Sequence, residues 1–433
     1  VAPPALSKAL DTAHSQASET ASLYLDALTG VRGFAACWVL LYHAWVAAGP
    51  ENLYLFLGNQ RIDVTPFLSG GGLGVTVFFV LSGFLLALPF AQASARGQAR
   101  PRFPEFFRRR ALRVLPAYYA QLLLLIPLLW FGLAPGPAEV ANVALHALMA
   151  HNFNLHYVAT INGPYWSMPT EWNFYLLFPL LILCCGPRRW PWLLAITLLL
   201  VPLYRWTLFQ YIAAWPLGER VSLIDQLPGR LDQFVFGMLA AHLLVFWRGT
   251  PGRRAALARW GDAILALGCL IGLVLLYWMH EHFRRYLAGH WSLYAWNTAF
   301  GLATALCILG IAAGGRFGLA LFANPVSVWL GVVSYSMYLW HFPVVDALSR
   351  QTWIASLPGP HWLPLTLAAV PPILAVSALW YRYVERPFLV PETLAEGPLA
   401  RLAPLARRRT WLVAALAALG LVTWAAMWQL LRH

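Results

Sequence analysis

The chain has 433 residues, 60% of them hydrophobic and only 11% charged, a composition that excludes a soluble globule and describes a polytopic membrane protein. Its formal net charge of +13 comes almost wholly from arginine, Lys8 being the sole lysine. The arginines sit in short loops between apolar runs, which excludes a separate basic domain for nucleic acid and points to the lipid bilayer as the partner.

Residues 1–22 are polar, lack the basic-then-apolar order of a signal peptide, and read as a flexible cytoplasmic tail. Apolar runs of about twenty residues then fall near 31–49, 67–91, 114–133, 165–185, 190–209, 231–247, 262–280, 293–313, 326–348, 362–384 and 410–431. They predict an all-α bundle of about eleven transmembrane helices. With the N-terminus inside, the inside loops hold roughly twenty basic residues against about seven outside, so the expected orientation is N-in, C-out. Residues 23–390 then form one membrane domain, 391–409 a basic cytoplasmic linker, and 410–433 a further helix. The outside segment between Gly132 and Tyr165 is long enough for an amphipathic or re-entrant helix. No internal repeat of the kind found in many transporters is visible. The five cysteines, Cys37, Cys184, Cys185, Cys269 and Cys307, show no CxxC spacing and read as packing residues, with no metal site expected.

Several ionisable residues interrupt the apolar runs. Eleven residues separate Arg32 from His43, a spacing that returns to within about 20° of one helix face and rises about 16 Å. Arg32 falls at the cytoplasmic boundary and His43 slightly past the midplane, where an ionisable group must face protein or water. The plain alternative is a topology anchor and a histidine bonded to a neighbouring helix. In "YWSMPTEWNFY" Ser167, Glu171 and Tyr175 recur every four residues, at a depth that makes Glu171 the expected partner of His43, or else a structural carboxylate satisfied by backbone or by an arginine. In "SYSMYLWHFP" Ser334, Tyr338 and His341 share a face whose aromatic and hydroxyl groups suit a sugar or polyol, or else belong to an interfacial aromatic belt. In "FFRRRALR" Arg109, Arg110 and Arg113 can fork onto phosphates bidentately, or simply follow the positive-inside bias.

The ordered set "LDALTGVRGFAACWVLLYH", "GVTVFFVLSGFLLA", "RRRALRVLPAYY", "YWSMPTEWNFYLLFPLL", "SYSMYLWHFPV" and "YVERPF" resembles the membrane-bound acyltransferase family 3, whose members O-acylate surface glycans and some small molecules. The likeness runs from about Leu25 to Phe388. It implies an acyl-coenzyme A donor, most often acetyl, held by Arg32, Arg109, Arg110 and Arg113. It further implies His43 as general base with Glu171 orienting it, and an acceptor (a glycan, a lipid-linked sugar or a small polyol) met by Trp166, Ser167, Tyr175, Tyr338 and His341. The expected place is the bacterial inner membrane. The extra span ending at His433 carries no SGNH domain, so a stand-alone form is expected. A thioester already matches an alkoxide in reactivity, so the chemistry calls for no metal. The rival reading is a transporter or flippase of lipid-linked sugars, which also uses buried charge and an aromatic cavity.

Overall fold

The computed structural model describes residues 4–129, 136–186, 189–212, 214–215, 222–288, 290–356 and 361–389. Its long helices are α1 (Pro4–Ala47), α2 (Gly74–Ala95), α3 (Phe103–Leu129), α4 (Pro137–Ala147), α5 (Ser167–Cys184), α6 (Trp190–Ile212), α7 (Leu227–Arg248), α8 (Pro251–Leu287), α9 (Ser292–Ala312), α10 (Pro325–Val332), α11 (Ser334–Ser349) and α12 (Trp362–Trp380). Among the described residues seven helices are long and apolar enough to cross a membrane, and eight if α10 and α11, bent by 71°, form one span. The expected runs at 114–133 and 165–185 fall on α3 and α5, outside that set; the run at 410–431 lies outside the described residues. Helix runs back from the first span to Pro4, through a stretch with five alanines and two leucines. The small β-hairpin Tyr54–Leu57 with Gln60–Asp63 follows α1 and turns at Gly58, whose φ of +60° suits glycine.

Two close approaches fix the bundle. A Cβ on Gly331 of α10 would lie 1.8 Å from the Thr29 carbonyl oxygen of α1, and one on Gly237 of α7 would lie 1.9 Å from that of Val80 on α2. Backbones meet there because only glycine leaves room. The glycine run Gly70–Leu73, a 3₁₀ turn, likewise rests on α1, a Cβ on Gly71 falling 2.5 Å from the Trp38 carbonyl oxygen. On the periphery α6 and α8 leave apolar side chains such as Leu199 (67%) and Leu270 (59%) exposed, the pattern of helices whose solvent is lipid.

Buried polar groups stitch the helices together. Arg205 and Asp232, both fully buried, form an ion pair at 3.0 Å, and the same guanidinium bonds the Gly229 carbonyl and the Thr298 hydroxyl, joining α6, α7 and α9. Pro343 has no N–H for the Leu339 carbonyl one turn back in α11. That carbonyl instead accepts from Gln121 of α3 at 2.8 Å and Asn162 at 3.0 Å, which ties the segment before α5 onto the bundle.

The same segment encloses two stacked imidazoles outside the spans. His146 and His151 are fully buried with ring centroids 3.9 Å apart and planes within 3°. His146 Nδ1 meets the Asn142 carbonyl at 2.9 Å and His151 Nε2 the Tyr165 carbonyl at 3.0 Å. Burial pushes His146 down to about 4, and burial with the neighbouring imidazole pushes His151 down to about 3. The folded segment therefore binds fewer protons than the unfolded one from about pH 3–4 up to the ordinary imidazole value, and its stability falls as pH drops from about 6.5 towards 4. At pH 5 the loss should approach about 2 kcal/mol per imidazole. Hydrogen exchange across residues 142–165 should quicken between pH 7.5 and 5, after correction for intrinsic rates; unchanged protection would mean that the rings are not held neutral.

Candidate active site

Two cavities lie along α1. The narrow one, about 80 Å³, is lined by Arg32 of α1, Ser82 of α2, Arg110 and Arg113 of α3, and Ser167, Glu171 and Tyr175 of α5. The wide one, about 1030 Å³, is lined by Tyr42, His43, Trp45, Trp166, Asp225, Arg230 and Trp296 among others. Val75, Phe79 and Tyr338 line both and form the partition. The Tyr338 hydroxyl is held there, donating to the Pro164 carbonyl at 2.7 Å while the Ser167 hydroxyl lies 2.6 Å away. The helical spacings thus bring Ser167, Glu171 and Tyr175 into one cavity, as expected. They distribute Arg32 and His43 between two.

Charge in the narrow cavity is only partly matched. Arg113 pairs with Glu385 at 2.8 Å, and Glu385, 1% exposed, also accepts from Ser336 at 2.8 Å. Glu171 Oε1 accepts from the Tyr175 hydroxyl at 2.6 Å and from that of Ser82. Arg32 Nε is buried and has no hydrogen-bond partner among the described residues. A buried donor of this kind is expensive unless an acceptor reaches it, so the cavity is built to receive an anionic or strongly accepting group. Arg109 lies outside the lining; its side chain is 69% exposed and bonds Glu105 at 2.7 Å. The Arg109 and Arg108 guanidiniums in turn hold the Glu105 carboxyl below the usual carboxylate range.

His43 meets an imidazole, not a carboxylate. Its Nδ1 lies 2.9 Å from the Val39 carbonyl and 3.2 Å from His341 Nε2, and His341 Nδ1 lies 3.2 Å from the Met337 carbonyl. A carbonyl oxygen only accepts, so both Nδ1 atoms are assigned the proton. The single His43 Nδ1–H is then shared between the Val39 carbonyl and His341 Nε2, and His43 Nε2 keeps its lone pair. The expected Glu171–His43 contact is absent among the described residues, because equal depth on two helices does not bring them side by side. The partition stands between them, and Glu171 spends its bonds on Ser82 and Tyr175.

The residues expected to meet the acceptor are divided as well. Trp166 faces the wide cavity, Ser167 and Tyr175 the narrow one, and Tyr338 both; His341, 1% exposed, lines neither and backs His43. Sequence reasoning assigned no role to Ser82, Glu385 or the Asp225–Arg230 pair. An acidic residue at the end of an apolar run, as in "YVERPF", was the available signal for Glu385. Asp225 and Arg230, five residues apart, show no helix-face pattern at all.

Comparison with known proteins adds a second line of evidence. A family model described as an acyltransferase domain matches residues 25–382. O-acetyltransferase OatA of Staphylococcus aureus (strain NCTC 8325 / PS 47) is 25% identical over 379 residues, which cover 84% of this chain and 57% of that protein. A putative O-acetyltransferase of Staphylococcus aureus (strain COL) is 23% identical over 391 residues, with the same two coverages of 84% and 57%. The chain thus spans little more than half the length of these relatives. No solved structure matches it.

Proposed function

The chain belongs to the acyltransferase family whose domain covers residues 25–382, and on that premise we propose that it is an integral-membrane O-acyltransferase of the bacterial inner membrane. It takes an acyl group, acetyl first among them, from cytoplasmic acyl-coenzyme A and delivers it to a hydroxyl of a glycan, glycolipid or polyol on the other side. The names of the relatives support O-acetylation as the reaction. One observation carries the mechanism: a single helix presents to the narrow cavity a guanidinium whose Nε has no hydrogen-bond partner among the described residues, and to the wide one a braced imidazole.

In this reading Arg110 and Arg113, with Arg32 deeper, hold phosphate oxygens bidentately at the narrow cavity, and Arg109 extends the basic surface outside it. A volume of about 80 Å³ admits a slender arm but no nucleotide, so the adenosine end stays outside. Glu171, braced by Ser82 and Tyr175, acts as counter-charge to Arg32 instead of orienting the base. His43 Nε2 removes the acceptor's hydroxyl proton as that oxygen attacks the thioester carbon. The C–O bond forms, the C–S bond breaks, and His43 returns the proton to the departing thiolate, leaving an ester and a thiol. His341 fixes the tautomer and ring orientation of His43, a positioning role. For the thioester to reach His43 the partition must open, which requires Tyr338 to release the Pro164 carbonyl.

The orientation belongs to the same proposal, with the N-terminus cytoplasmic and eleven spans in all, supported by the basic bias of the loops. In a background with the native cysteines replaced, an impermeant thiol reagent should label Glu139→Cys in whole cells and Arg253→Cys only after permeabilisation. The opposite pattern would invert the topology.

Arg32→Ala or Arg113→Ala should weaken coenzyme A binding roughly tenfold to a hundredfold, and lysine at either place should restore only part of it. Calorimetric titration of purified protein reads this directly. Parental affinity in the double variant would reduce these arginines to topology anchors.

His43→Ala should keep donor binding and lose about 10²- to 10⁴-fold in turnover. His341→Phe, which fills the space without an acceptor nitrogen, should lower kcat by about 10²-fold with little change in KM, and His341→Gln should recover part of the loss. Turnover retained in His43→Ala sinks the base assignment; equal damage by Phe and Gln at position 341 reduces His341 to packing.

A further inference from the structure

The wide cavity contains, besides His43, a second built polar set that no motif announced. Arg230 bonds one oxygen of Asp225 through both Nε, at 2.9 Å, and Nη2. Its Nη1 donates to Asn297 Oδ1 at 2.6 Å, and Asn297 Nδ2 donates to the Tyr286 hydroxyl at 2.8 Å. All four residues line the cavity. The Thr170 hydroxyl fixes the backbone of Asp225 at 3.0 Å, so α5, α7, α8 and α9 hold the set together.

Stability does not explain this arrangement. Asp225 and Arg230 are only 12% and 11% exposed, and an ion pair so desolvated is seldom more stable than apolar packing of the same volume. What the set offers the cavity is a specific pattern of unused valences. Arg230 engages only one oxygen of Asp225, and the other can only accept. The Tyr286 hydroxyl accepts from Asn297 and retains its own proton to donate. Arg230 has three of five N–H groups engaged and two left over.

Beside them stands Trp296, fixed by its indole N–H on the Leu275 carbonyl at 3.0 Å and stacked on Phe300 at 5.4 Å, so that a rigid aromatic surface adjoins fixed donors and an acceptor. A hydroxyl is the group that both donates and accepts, and neighbouring hydroxyls on a ring match a carboxylate oxygen next to a phenol. A phosphate or carboxylate would be repelled by Asp225, and an apolar alcohol would leave the set unpaired. Arg284 and Arg285 also line the cavity, but both are exposed, where attraction for an anion is screened.

We infer that Asp225, Arg230, Asn297 and Tyr286, with Trp296 beside them, form the acceptor-recognition site of the wide cavity, and that the acceptor is an uncharged saccharide ring read through neighbouring hydroxyls. The inference rests on the reading of the wide cavity as the acceptor side. Because the set shares one cavity with His43, the ring can be gripped by hydroxyls that do not react while another meets the base.

The test is a titration of the full chain in lipid nanodiscs, following tryptophan fluorescence. Methyl glucopyranoside serves as the saccharide probe, tetrahydropyran-2-methanol as a ring with a single hydroxyl, and inorganic phosphate as the anion. The parent should show saturable binding of the glucoside and much weaker binding of the other two. Tyr286→Phe, which leaves the ion pair intact, should weaken glucoside binding about tenfold, and Asp225→Asn roughly tenfold to a hundredfold. Coenzyme A affinity and the thermal unfolding midpoint of Tyr286→Phe should match the parent, so that misfolding of Asp225→Asn leaves the answer standing. Failure of the parent to bind the glucoside, equal binding of the single-hydroxyl ring or of phosphate, or parental glucoside affinity in Tyr286→Phe overturns the inference. Loss of coenzyme A binding in the parent itself would instead count against the acyltransferase mechanism.

Discussion

An unbroken helix sets the distance between an arginine and a histidine, and the rest of the molecule is arranged around that length. Between Arg32 and His43 α1 has no proline and no break, so the two side chains stand about 16 Å apart along a stiff axis. Position on such a rod is worth little unless neighbours meet it in register. The contact of Gly331 with the Thr29 carbonyl sets α10 against α1 near Arg32, and the glycine turn at Gly70–Leu73 sets the start of α2 against α1 nearer His43. Both cavities inherit their walls from these contacts.

Low dielectric makes charge the scarce quantity in such an interior, and the chain matches it almost everywhere. Arg205 answers Asp232, Arg230 answers Asp225, and Arg113 answers Glu385. Arg32 is answered less completely: Glu171 lines the same cavity, yet the buried Nε has no hydrogen-bond partner among the described residues. Full pairing would have made a rigid and inert bundle. In the proposed mechanism that donor is where an outside molecule completes the electrostatics.

How much of this was legible in the sequence follows from what one dimension can encode. Helix faces were legible, since Ser167, Glu171 and Tyr175 do share one, and so was the all-α membrane character, because both depend on spacing along one helix. Neighbours across helices were not. Glu171 was matched to His43 by depth, but depth leaves azimuth open, and the imidazole that does reach His43 comes from α11. His341 looked like a lining residue because it shares a face with Ser334 and Tyr338; seven residues on, it lies about 10 Å farther along the axis than Ser334, where it meets His43 instead of a cavity. The Asp225–Arg230–Asn297–Tyr286 chain left no trace, since its members come from separate elements and only folding brings them together.

The partition of Val75, Phe79 and Tyr338 bears on a hazard that any cavity inside a membrane creates. Two water-accessible hollows meeting end to end would form a leak for protons and small ions, and a cell that lives on its membrane gradient could not carry many copies. A valine, a phenyl ring and a phenol whose hydroxyl is engaged by Pro164 and Ser167 stand between the two hollows. In the proposed mechanism such a septum would serve as electrical insulation: a flexible chain would be threaded past the rings one molecule at a time, whereas a standing column of water, along which protons hop, would have no continuous path.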